Sequence, residues 1–78
     1  FPNPATAKLN LNFALQNNSV VSVEFVNLAG QQLMAQSLGN LNAGLQTQSL
    51  DLNGLSKGVY FLSVQTNSGV TKHKIVVE

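Results

Sequence analysis

The sequence predicts an all-β domain, an antiparallel sandwich or barrel, and three observations carry that expectation. Leu9, Leu11 and Phe13 fall on one parity while Lys8, Asn10 and Asn12 fall on the other, which is the period of a half-buried strand. Turn signals then recur at short intervals: Gln16-Asn17-Asn18-Ser19, Asn27-Leu28-Ala29-Gly30, Gly39 to Gly44, Asn53-Gly54 and Asn67-Ser68-Gly69. No segment between them keeps a 3.6-residue apolar period over several turns. Six or seven strands in two antiparallel sheets are expected.

The first strand runs through Leu9, Leu11 and Phe13, behind a stiff Phe1-Pro2-Asn3-Pro4 opening. Residues 1–6 read as a junction to something larger, and residues 7–78 as the sandwich. In the second strand, Val20 to Val26, Ser22 and Glu24 mark the wet face, so Val21, Val23 and Phe25 point inward. Asn27 and Gly30 take the first and fourth turn positions, where glycine accepts a left-handed conformation without cost. Gln31 to Ser37 returns antiparallel; Leu33 and Met34 compete for the inward parity, and Leu33 is favoured. Gly39 to Gly44 reads as a loop and Leu45 to Leu52 as the fourth strand. Residues 53–58 form a tight turn with Leu55 as an apolar plug. Val59 to Thr66 follows, with Tyr60, Leu62 and Val64 inward. The last strand, Val70 to Val77, turns Ile75 and Val77 in and Lys72 and Lys74 out.

Composition narrows the function. Charged residues are 9% of the chain against a typical ~25%, so the wet faces must be made of neutral polar side chains. Ten Asn, seven Gln, seven Ser and four Thr supply them. A net charge of +1, with four Lys and no Arg, provides no electrostatic footprint for nucleic acid or an anionic membrane. There is no Cys, hence no disulfide, and one His with three scattered carboxylates argues against a structural metal or any cofactor.

The same scarcity argues against an enzyme. Glycoside hydrolysis needs two carboxyl groups at a set separation, but the only candidates are Glu24 on a wet face, Asp51 at a strand end and Glu78. A catalytic triad would have to use His73 and Asp51, and His73 shares parity with Ile75, as an inward or rim residue does. Asn17-Asn18-Ser19 matches a glycosylation tripeptide but reads as a turn. Tyr60, just after Gly58 at the head of a core strand, is expected to bury its ring and anchor its hydroxyl on nearby backbone rather than stack on a sugar. Lys72 and Lys74 are the one basic cluster, suited to guarding an edge strand or to docking a receptor. The β-branched second and last strands carry a self-association hazard through an unprotected edge.

Taken in order, several segments resemble one family. They are Phe1-Pro2-Asn3-Pro4, the turn from Asn27 to Leu33, Leu41-Asn42-Ala43-Gly44, the run from Leu50 to Leu62 with its Gly58-Val59-Tyr60-Phe61-Leu62 block, and Thr71 to Val77. Together they look like the C-terminal sorting domain of the type IX secretion system, over the whole chain. The resemblance implies an immunoglobulin-like β-sandwich at the end of a larger cargo, non-catalytic and without cofactor. It also implies passage through the periplasm and the outer-membrane translocon to the cell surface or medium. Removal by a sortase-like cysteine protease, with attachment of the cargo to surface lipopolysaccharide, often follows in that family.

In this light Pro2, Asn3 and Pro4 are the start motif, and Gly30, Gly44, Gly58 and Tyr60 are structural motif residues. Asn27 stands where members often carry Asp, and Val77-Glu78 where many end on a basic residue, which shifts attention to Lys72 and Lys74 as partner-recognition residues. The alternative function is a small carbohydrate-binding or adhesive β-sandwich.

Overall fold

A computed structural model describes residues 8–52 and 54–77. The start motif Pro2, Asn3 and Pro4, the 1–6 junction, Asn53 and Glu78 lie outside the described residues. Six strands follow in order: β1 (Lys8–Leu15), β2 (Ser19–Asn27), β3 (Gln32–Leu41), β4 (Gly44–Asp51), β5 (Gly58–Thr66) and β6 (Gly69–Val77). They pair antiparallel in two sheets, β1-β4 and β3-β2-β5-β6. The all-β sandwich is as expected.

Each sheet turns one parity inward, because side chains alternate across a strand. Leu11 from β1 and Leu50 from β4 meet Val21, Val23 and Phe25 from β2 and Tyr60, Leu62 and Val64 from β5 in one core, closed by Leu52. Val21, Phe25, Leu50 and Leu62 are fully buried, and each contributes about 1.5–3 kcal/mol through the apolar area taken from water. Register explains the pairing of large groups: Val23 opposes Val64 and Phe25 opposes Leu62. The rings of Phe25 and Tyr60 stack at 5.6 Å. Leu9, Phe13, Leu55 and Ile75 are half-buried against this core. Leu50 and Leu52, apolar residues of the fourth expected strand, prove to be core residues as well.

The expectations for residues 31–44 need correction. Leu33 does not face inward: it is 40% exposed, and Met34 packs against the core instead. Met34 stands opposite the buried Phe25, and directly opposed residues share a face. Val26 then pairs with Gln32, so Leu33 is the extra residue of a β-bulge. Nor is Gly39 to Gly44 a loop. β3 continues to Leu41, and only Asn42 and Ala43 separate it from β4. A second bulge makes this continuation productive. Val21 pairs with Gly39 and Ser22 with Ser37, which leaves Leu38 as the extra residue, with Gly39 at φ +77°. The inserted residue switches the inward parity, so both Leu38 and Leu41 reach the core.

Polar side chains fasten the turns. Asn27 Oδ1 accepts from the backbone N–H groups of Ala29 (3.0 Å) and Gln31 (2.9 Å), while Gly30, at φ +83°, donates its N–H to Asn27 O. Asn18, within the glycosylation tripeptide, accepts the Ala43 N–H at 2.8 Å, a turn role as expected. Ser19 is the first residue of β2 rather than part of the turn, and it is buried. Its Oγ donates to Val20 O and accepts the Asn67 N–H at 2.8 Å, which ties the head of β2 to the β5–β6 turn.

Candidate docking surface

The outer face of the four-stranded sheet carries a groove, and the makeup of that face follows from the registers. One cross-strand row reads Gln32, Val26, Phe61, Lys74; the next Ala35, Glu24, Ser63, Lys72; the third Ser37, Ser22, Gln65, Val70. A shallow groove of about 860 Å³ on this face is lined by Val26, Phe61 and Val70 together with Glu24 and Lys72; Gln32 and Lys74 lie outside it. Lys72 and Lys74 stand at the rim of the sheet, because β6 is its last strand.

Along β6 the outward column is Val70, Lys72, Lys74, Val76, all exposed. Two positions on a strand are about 7 Å apart, so the ammonium groups are close enough to act on one partner. Glu24 is two strands away from Lys72, about 10 Å across the sheet from backbone to backbone. Among the described residues, Glu24 is the one acid on this face, against two lysines. The parity that sends the lysines outward sends Val70 and Val76 outward too. That flanking apolar pair was readable from the alternation but was overshadowed by the charges.

Other candidate residues are placed apart. Asp51 lies on β4 in the two-stranded sheet, in register with Lys8, while His73 is exposed on β6 of the other sheet. Glu24 lies on the outer face of that larger sheet, so among the described residues neither paired carboxylates nor a His-Asp pair is assembled. Among the described residues no group of three metal-binding side chains comes together.

Of the structural motif residues, Tyr60 belongs to the core, whereas Gly30 and Gly44 are exposed. The Tyr60 hydroxyl donates to Ser56 O at 2.6 Å, and its ring is buried. Gly58 has φ +155°, which side-chain-bearing residues rarely adopt, while an added Cβ would meet Tyr60 Cε1 at 3.8 Å, an ordinary contact; the constraint lies in the backbone. Gly44 opens β4 opposite Leu15.

No curated protein matches the chain. The family model described as "Secretion system C-terminal sorting domain" matches residues 1–78, the whole chain, in keeping with the β-sandwich and with the order of turn and strand motifs. The chain belongs to this family of type IX secretion signals, which send a cargo carried in the same precursor to the export machinery and on to the outer membrane, the cell surface or the medium.

Proposed function

We propose that the chain is a non-catalytic signal read as a folded object, with Lys72 and Lys74 on β6 as the residues that dock the translocon. The cargo crosses the periplasm before export. A sortase-like cysteine protease then removes the domain, and the cargo is attached to the cell surface. The whole-chain family match is the observation that carries this reading. The scattered placement of Glu24, Asp51 and His73 supports the absence of catalysis. The position of two exposed lysines on a sheet edge supports their role in recognition.

The test is a fusion of residues 1–78 to a periplasm-directed reporter in a host with the type IX machinery. The intact fusion should leave the periplasm, and changing both Lys72 and Lys74 to Gln should hold it there without lowering the melting temperature. Two outward substitutions on a strand disturb stability little. Retention of the intact fusion would overturn the sorting role. Normal secretion of the double variant would overturn the docking role of the lysines and return them to edge protection.

A further inference from the structure

Among the described residues, the two ends of the four-stranded sheet leave backbone hydrogen-bonding groups without a neighbour in the sheet, and β6 is the end whose edge is regular. Its register with β5 runs unbroken from Gly58 opposite Val77 to Thr66 opposite Gly69. An unbroken edge of this kind is a template for another strand. Its side chains decide which strand is accepted.

A second copy fits poorly. Two β6 strands related by a two-fold axis pair antiparallel about a central residue. Centred on Lys72, they put that lysine opposite itself; centred on His73, they put Lys72 opposite Lys74; centred on Lys74, that lysine meets its own copy. Every register with extensive overlap therefore opposes like charges, which is destabilising at direct cross-strand positions. A strand with carboxylates at alternate positions reverses the sign of each of those pairs. Val70 and Val76 then bracket the charges and call for apolar residues one step further out on the same face.

We infer that β6 accepts an extended acidic segment of a partner protein by strand addition, with carboxylates at two alternate positions facing Lys72 and Lys74 and apolar side chains facing Val70 and Val76. The inference rests on the reading of these lysines as recognition residues and adds the partner's chemistry and the way it binds. Main-chain hydrogen bonds to the β6 edge hold the segment, and the lysines select it.

The probe is a synthetic peptide, Val-Thr-Glu-Thr-Glu-Thr-Val, added to the 78-residue chain while amide hydrogen exchange is followed residue by residue. At about ten times its Kd, the peptide should slow the edge-facing amides of β6 about tenfold and leave β3 unchanged. A version with Lys in place of Glu should give no protection, and one with N-methylated backbone should give none either. The Lys72→Gln, Lys74→Gln double variant, checked for a normal melting temperature, should lose the effect. Absence of β6 protection at millimolar peptide, equal protection by the Lys version, or equal binding of the N-methylated version would overturn strand addition. The reporter fusion separates the two readings. Retention of the double variant without peptide protection leaves the lysines as docking residues and removes strand addition. Peptide protection with normal secretion keeps strand addition and removes its part in sorting.

Discussion

The two edges of the larger sheet, β3 and β6, face the same hazard with different chemistry. β3 has no charged residue at all; from Phe25 to Leu50 the chain is charge-free. What β3 has instead is two bulges, at Leu33 and Leu38, which interrupt its register on both sides of Met34 to Ser37. β6 has no interruption and carries Lys72 and Lys74. A bulged edge is misaligned for any incoming strand, whatever its sequence, because the spacing of its free backbone groups is wrong. A charged regular edge refuses only strands of its own sign. Geometry excludes without discrimination and charge excludes selectively, so of the two edges β6 is the one able to recognise something. β2, expected to share the association hazard, is an inner strand between β3 and β5 and has no free edge.

The comparison rests on a shared core, and removing that core is the largest perturbation. Leu62 is fully buried at the centre of β5, so Leu62→Ala should cost about 2–5 kcal/mol in urea unfolding and weaken both edges together. A loss under about 1 kcal/mol would mean that the sheet is not held from β5.

The anchors of the two edges come next. Met34 and Ile75 are both half-buried against the core, and truncating either to Ala should cost about 1–2 kcal/mol, roughly half the fully buried value. Leu33→Ala should stay within about 0.5 kcal/mol, since that side chain is largely exposed. Reversal of the Met34 and Leu33 costs would put the bulge in the wrong place.

The bulge itself can be removed. Deleting Leu38 places Ser37 next to Gly39, opposite the consecutive Ser22 and Val21, and leaves an uncharged edge that is regular from Met34 to Leu41, with only the Leu33 bulge remaining. The variant should lose about 1 kcal/mol through the missing leucine contact and self-associate in sedimentation equilibrium where the parent does not. A monomeric deletion variant would show that the bulge is not what protects β3. The smallest effect belongs to the lysines: Lys72→Gln with Lys74→Gln should change stability by no more than about 0.5 kcal/mol and add only weak, concentration-dependent association.

The same contrast marks what was legible in the sequence. β2 and β5 could be read residue by residue, because strict alternation, Ser22 and Glu24 on one parity and Val21, Val23 and Phe25 on the other, has one solution when a single face is wet. β3 could not. A bulge adds a residue without any composition signal, so Leu33 and Met34 exchange roles and Gly39, a turn residue by type, sits within a strand. Leu52 enters the core just beyond the end of β4, on the same parity as the buried Leu50. The lysines of β6 were visible as charges, but their placement on a sheet edge required the strand order, which no local pattern encodes.

That strand order also sets a timetable. The β2–β3 and β5–β6 hairpins close through short turns, at Leu28 to Gln31 and at Asn67-Ser68. The ladders that join them into a molecule are remote in the chain: Leu11 must find Gln48, and Val23 must find Val64. Hairpins of this size form in about 1–10 μs, whereas pairings between distant segments are the slow part of folding all-β domains. A chain cut before Gly58 would retain the first hairpin and the β1–β4 ladder but lose half of the larger sheet, including the strand that carries Lys72 and Lys74. The β6 edge therefore exists only on a finished sandwich, and on the proposed docking role the machinery that reads it admits no precursor whose β5 and β6 have yet to be made.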